Sequence, residues 1–186
     1  QQPSEDSDLA IYKKGIELID KEKYGAAQQE FSEFIHRNQH AYLNPQRNNL
    51  VSNAEFYQAF AAYNLLHSNA QTLFQDFIRK YPTHPRVGES YFYIGTLYFL
   101  RKDYDQVLPN LRKSDLSALT REQVTQARFM MGYAYYDAGR TREAQSMFRQ
   151  IRNDKGQFGE QGAWYYALLS YQNGNYQEAY NAFSKL

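Results

Sequence analysis

A short pattern returns along this chain with a period of 35 to 37 residues: a small residue inside an aromatic-rich segment, Ala or Val twelve positions later, and Phe or Leu four beyond that. Gly95, Val107 and Leu111 form one copy, Gly132, Ala144 and Phe148 the next, and Ala167, Ala179 and Phe183 a third, while Gly15, Ala27 and Phe31 give an earlier one. Helical spacing inside a unit of this length specifies stacked helical hairpins, because one hairpin alone cannot bury its apolar face. The patterned residues are taken up by packing against neighbours, which points to a molecule that holds others.

Charge adds little. Lys plus Arg total 21 against 20 for Asp plus Glu, so the net charge of +1 provides no field that would draw nucleic acid or anionic lipid. The 18 Tyr and 12 Phe say more: 17% aromatic residues beside a mean hydropathy of -0.78 describe large rings under a polar exterior. With no cysteine, disulfides, thiolate metal sites and a cysteine nucleophile are all excluded, and the redox compartment stays open. The most apolar stretch, Tyr91 to Leu100, is about half of what a membrane-spanning helix needs. Residues 1–8 read as a solvated tail, lacking the basic start and apolar run of a signal peptide.

Aligned on the small residue, the predicted helix pairs are 8–20 with 23–37, 53–66 with 69–80, 86–101 with 104–114, 121–138 with 141–151, and 160–173 with 176–186. The repeats run approximately 9–37, 53–82, 86–119, 121–155 and 160–186, giving one array over 9–186. Gly139 and Gly174 stand where a helix end wants a left-handed residue, and Lys102-Asp103-Tyr104 does the same work without glycine. Thr120 with Gln123 has capping-box spacing and starts a helix near Arg121. Pro109 falls past the first turn of its helix and predicts a bend. In the second pair, His67-Ser68-Asn69 leaves a turn about two residues short, and residues 38–52, polar and containing Pro45, read as an insertion loop, inert in preference to a binding loop. At the far end, Ala179, Phe183 and Leu186 would lack a following helix, so either a longer array or a homodimer is expected to cover them.

The residues resemble the tetratricopeptide repeat family. Tyr91-Phe92-Tyr93-Ile94-Gly95-Thr96-Leu97-Tyr98 fits the first half of its pattern, with Val107 and Leu111 in the second; Met131-Gly132-Tyr133-Ala134-Tyr135, Ala144 and Phe148 fit again, and Phe74, Phe77 and Tyr81-Pro82 match the closing half of another copy. The run through Lys80-Tyr81-Pro82-Thr83-His84-Pro85, together with the Tyr-rich first helices, is similar to periplasmic and outer-membrane-associated repeat proteins of Gram-negative bacteria. The resemblance implies a right-handed α-solenoid of about five hairpins and a periplasmic or outer-membrane-associated protein, with a cytoplasmic one as the alternative.

It also implies a binding groove lined by the first helix of each pair. Carried over residue by residue, its lining is Tyr12, Phe92, Phe99, Phe129, Tyr133, Tyr136, Trp164, Leu168 and Tyr171. Spacings of 3, 4 or 7 put Phe92 with Phe99, and Phe129 with Tyr133 and Tyr136, on one helix face each by geometry alone. The competing reading is ordinary core, since a stripe does not reveal whether its cover is internal. An exposed aromatic strip suits an extended peptide or an apolar helix as partner. The Lys and Asn of the family's carboxylate-clamping members are missing, so an acidic C-terminal peptide is not expected.

Other chemistries find less support. Glu33, His36 and His40 share a face at i, i+3, i+7 but are read as a solvated helix end, and neither a metal nor a cofactor is expected. Arg79-Lys80 and Arg101-Lys102 sit where cations complement helix dipoles. Stacking on RNA needs a basic track, whereas Asp137 and Glu89 lie near the rings. The expectation is a non-enzymatic scaffold for protein–protein interaction in a bacterial cell-envelope assembly. The alternative is an accessory repeat region of a larger protein whose catalytic or nucleic-acid-binding part lies elsewhere.

Overall fold

The structure is a computed structural model that describes residues 5–186. Among the described residues there are ten α-helices and two short 3-10 turns, with no strand. The helices are α1 (Glu5–Asp20), α2 (Tyr24–Arg37), α3 (Pro45–Asn64), α4 (Ala70–Lys80), α5 (Val87–Leu100), α6 (Tyr104–Leu111), α7 (Arg121–Asp137), α8 (Thr141–Ile151), α9 (Gln157–Gln172) and α10 (Tyr176–Phe183). Consecutive helices pair as expected, making five hairpins. They fall into two compact units, the first ending at Tyr93 and the second running Ile94–Leu186, with α5 contributing residues to each.

The sequence period has a direct packing cause. A Cβ built on Gly132 would stand 2.8 Å from Cε1 of Phe148, and one on Gly95 would stand 2.5 Å from Cδ2 of Leu111. The small residue of the first helix therefore receives the large residue sixteen positions on, and glycine's helix penalty of about 1 kcal/mol is offset by the close approach it permits. The intervening residue is interior as well: Ala27, Val107, Ala144 and Ala179 are all buried.

Every hairpin turns through the same motif. Backbone N–H groups of Lys23, His67, Asp103, Arg140 and Asn175 donate to carbonyls of Leu18, Ala62, Tyr98, Tyr135 and Ser170, closing Schellman caps. The residue just before each of these donors has positive φ: Gly139 and Gly174 at +71° and +79°, but Glu22, Leu66 and Lys102 at 55°, 57° and 62°. In four hairpins the left-handed residue precedes the buried Ala or Val by five positions, whereas Leu66 precedes Ala70 by four. The second turn is thus short by one residue rather than two.

Two expectations about irregular segments need correction. The loop expected over 38–52 is confined to 38–44, which holds a 3-10 turn at Ala41–Leu43; Asn44 Oδ1 then accepts from the Gln46 and Arg47 amides at 3.0 and 3.2 Å, and Pro45 opens the twenty-residue α3. Asn followed by Pro is a helix-start signature, cap then first turn, that outweighs the polar composition of the segment. Val51 and Ser52 are buried, and Leu50 packs on the core that holds Phe31 and Phe34. The tail read over residues 1–8 likewise becomes helix by Glu5; residues 1–4 lie outside the described residues. Asp8 is buried between Arg37 and Arg47, at 3.7 and 3.6 Å, so α1 is tied to the end of α2 and the start of α3.

The capping box is present in both halves, Gln123 N–H donating to Thr120 Oγ1 at 3.2 Å and Thr120 N–H to Gln123 Oε1 at 2.9 Å. Pro109 is exposed inside α6, which ends two residues later at Leu111. Pro109 supplies no N–H to the helix ladder, but α10 is as short without a proline.

Candidate protein-binding face

In the second unit, the groove-register rings on the first helices of successive hairpins come together. Phe99 on α5 lies 5.6 Å from Tyr133 on α7, nearly perpendicular to it. Tyr133 in turn meets Tyr165 on α9 edge-on at 5.6 Å and Tyr136 at 6.1 Å. Tyr104, which opens α6, completes the group at 5.0 Å from Tyr133. Trp164 meets Tyr165 at 5.0 Å and is 45% exposed, while Phe99, Tyr104, Tyr133, Tyr136 and Tyr165 are half-buried. The edge-to-face geometry is the one ring quadrupoles favour, so the rings hold each other's orientation without closing over.

The phenols form the polar side of this face. Burial, then the Tyr133 hydroxyl and the nearby Tyr136 and Tyr104 phenols, pushes Tyr165 up to about 12. Burial and Tyr133 also raise Tyr104, with Asp137 adding to the effect. At neutral pH these groups are protonated and can donate hydrogen bonds to carbonyl oxygens.

Several of the nine expected groove residues lie elsewhere. Phe129 is 4% exposed, wedged against Phe148, Phe158 and Tyr165, and Phe92 is 2% exposed; both are core, which corrects their placement on an open groove. Tyr12 is half-buried in the first unit with its ring 6.0 Å from Phe31 and 5.3 Å from Phe34. Leu168 is half-buried, and Tyr171, 58% exposed, contacts the ring of Tyr176 at 5.4 Å. Phe99, Tyr133, Tyr136 and Trp164 are the four joined into the half-open face.

Sequence reasoning missed Tyr165 and Tyr104. Tyr165 was legible, because Phe158 and Tyr165 are seven apart on α9 and therefore share a face. Tyr104 opens a second helix, and a rule restricted to first helices passes over it.

The first unit uses its rings differently. The Arg86 guanidinium lies over Phe56 at 4.6 Å and Tyr57 at 5.0 Å, donates to the Tyr57 hydroxyl at 2.9 Å and pairs with Glu89 at 2.9 Å. Arg86 N–H donates to His84 Nδ1 at 3.1 Å, so that nitrogen carries no proton, and burial with Arg86 beside it lowers the His84 pKa. The Glu33, His36 and His40 set is dispersed among local partners: Glu33 pairs with Arg37, His36 bonds Gln39 and His40 contacts the Tyr42 ring. Among the described residues no cluster of three or more His, Cys, Asp or Glu is placed to hold a metal ion. Nor is any described helix long and apolar enough to cross a membrane.

The tetratricopeptide repeat family matches the chain twice, over residues 53–84 and over residues 129–186. The first stretch spans most of α3 and α4, and the second most of α7 through α10, including the ring-bearing α7 and α9. No curated protein matches the chain. Helices packed in consecutive pairs, the small-to-large contact inside the pairs and the two matched stretches agree: the chain carries tetratricopeptide repeats.

Proposed function

We propose that this protein is a non-enzymatic interaction scaffold, and that the ring face of its second unit receives an extended peptide or an apolar helix. Tetratricopeptide repeats generally mediate protein–protein interaction. The observation that carries the specific reading is the half-open group Phe99, Tyr104, Tyr133, Tyr136, Trp164 and Tyr165, drawn from three successive first helices and the start of α6. Covering what remains open of each ring contributes part of the roughly 1.5 to 3 kcal/mol that full burial of such a side chain gives, and the phenols offer donors for a partner's backbone carbonyls. Asp137 stands beside Tyr104 where a phosphate backbone would need a cation, which favours a protein over a nucleic acid.

A peptide array probed with wild type and with the Trp164→Ala/Tyr136→Ala double variant tests the face. Wild type is expected to select a set of aromatic- or Pro-containing peptides that the variant loses; identical selection by both would end this reading. A place in the bacterial envelope is the second half of the proposal, supported by the Lys80-Tyr81-Pro82 junction and the Tyr-rich first helices. Fractionation of cells expressing the whole gene tests it, an exclusively cytosolic product counting against it.

A further inference from the structure

Three hydroxyls on the ring face form a row, and the hydrogen that row leaves over says which peptide fits. The Tyr133 hydroxyl bonds with those of Tyr104 and Tyr165, whose rings stand 5.0 and 5.6 Å from its own. Two bonds among three hydroxyls use two hydrogens, so one remains for an acceptor outside the row. The charged group that acts on Tyr104 is Asp137, which is exposed.

The openness of this face belongs to the interior of the array. Helix α7, which carries Tyr133 and Tyr136, packs on α6 on one side and on α9 on the other. With a neighbour on each side both rings stay half-buried, as do Phe99, Tyr104 and Tyr165. The rings also cross steeply, Tyr133 standing at 83° to Phe99 and at 88° to Tyr165. Rings set at such angles leave corners between their faces, and a compact apolar ring fits a corner from two sides.

Backbone hydrogen bonding separates the peptide conformations that could lie here. A β-strand adds to a sheet edge, whereas this face is built of helices whose own N–H and C=O groups are paired. An α-helix uses its carbonyls internally and leaves the phenolic hydrogen without a backbone acceptor. A polyproline II segment has no internal hydrogen bonds, so its carbonyls are free, and its prolines bring no N–H for the face to satisfy. Its pitch agrees as well. A turn of about three residues rises about 9 Å, and packed helices stand about 8 to 10 Å apart, so a segment crossing α5, α7 and α9 lays one like-facing residue on each.

We propose that the ring face binds a proline-rich segment of a partner protein in the polyproline II conformation, with a Lys or Arg next to Asp137; this rests on the reading of the same face as a protein-binding surface. Prolines lie in the corners that Tyr133 makes with Phe99 and with Tyr165, and the free phenolic hydrogen bonds a carbonyl between them. No two of the chain's own five prolines are adjacent. Pro82 and Pro85 flank a turn closed by the His84 N–H on the Tyr81 carbonyl at 3.0 Å, so they do not form such a segment.

The probe is a fluorescein-labelled octaproline with a C-terminal lysine, titrated into the 186-residue chain and followed by anisotropy, beside an alanine peptide of equal length with the same lysine. Saturable binding of the proline peptide alone is expected. Tyr136→Ala should weaken it on the order of tenfold by removing a ring, and Tyr165→Phe by about two- to tenfold by removing a hydroxyl while keeping its ring. Asp137→Asn should erase the advantage of the lysine-bearing peptide over plain octaproline. The Phe and Asn variants keep their side-chain size, so their circular dichroism and melting should match wild type. Absence of saturable binding, equal binding of the alanine peptide, or binding indifferent to both tyrosine variants overturns the proposal. The peptide array separates the two readings: selected peptides that lack proline yet are lost with Trp164→Ala/Tyr136→Ala leave the protein-binding face standing and end the proline class, whereas selection indifferent to that double variant ends both. A whole-gene product that refuses the peptide accepted by the 186-residue chain means that the face is filled from its own polypeptide, which overturns the partner.

Discussion

The two units are built from the same hairpin but expose different shares of their rings: among the described residues Trp164, Tyr171, Tyr176, Tyr180 and Phe183 are exposed in the second unit, against Tyr42 in the first. Around α1 to α4, Phe31, Phe34, Phe56, Phe74 and Phe77 are all buried, and the guanidinium of Arg86 closes over Phe56 and Tyr57. Around α7 and α9 the rings lean edge-to-face on one another, and Tyr133, Tyr136, Tyr165 and Trp164 keep part of their surface open. Position in the repeat therefore fixes which neighbour a residue meets. Exposure is decided by what the neighbouring helices add on top: Arg86 covers Phe56 and Tyr57 in the first unit, and in the second Arg140 and Arg152 lie over Tyr135 and Tyr166, which are buried.

The largest effects should be the ones the units share. Phe148→Ala and Phe31→Ala each remove a fully buried ring that packs on the small residue of its hairpin, and each is expected to cost about 3 to 5 kcal/mol in urea unfolding. A difference of several kcal/mol between them would break the equivalence of the hairpins. Next comes the cation that lies over two rings of the first unit. Arg86→Ala should destabilise the first unit by about 1 to 2 kcal/mol, through lost ring contacts and an ion pair still one-third exposed to solvent screening. Retention of full stability would mean that the guanidinium merely rests on the rings.

Smaller effects sharpen the comparison of the turns. Glu22, Leu66 and Lys102 occupy left-handed backbone that Gly139 and Gly174 occupy in the later hairpins. Lys102→Gly and Leu66→Gly should stabilise by about 0.5 to 1 kcal/mol, and Gly139→Ala should destabilise by about as much, in thermal melts. Loss of stability in both glycine variants would mean that the lysine and leucine side chains contribute more than the strain they carry.

The smallest effects are those of pH. His84 is held neutral by folding, its pKa depressed by burial and Arg86. Its contribution is complete above the ordinary value of 6.5 and declines as pH falls toward the lower folded-state value, so acid should loosen the first unit slightly, and His84→Gln should flatten that slope. Tyr165 has the opposite sense: with its pKa raised from 10.0 to about 12, its contribution is complete below pH 10 and is lost as pH rises toward 12. Tyrosinate absorbance in wild type against Tyr165→Phe should show one late-titrating phenol missing from the variant.

How much of this was legible in the sequence follows from physical range. The small-to-large contact of Gly132 with Phe148 is fixed within one hairpin, so the period revealed it directly. The Thr120 cap and the glycine turns are local as well. Residues 45–52 were misread because their composition is polar, whereas the deciding signals were the Asn44-Pro45 start and the two core-facing residues Leu50 and Val51. The groove was legible as a register but not as a surface. Phe129 and Tyr133 belong to one stripe on α7, yet Phe158 on the next hairpin covers the former and leaves the latter half-open, and such cover is set across hairpins.

Trp164, the single tryptophan of the chain, stands at the open edge of the ring face and reports on it without a label. Its emission and its quenching by acrylamide, followed while an array-selected peptide is titrated in, test most directly whether the displayed rings are a binding surface. The account predicts a blue shift and protection from quencher that saturate together and disappear with Tyr136→Ala; saturable binding that leaves Trp164 emission and quenching unchanged would contradict it.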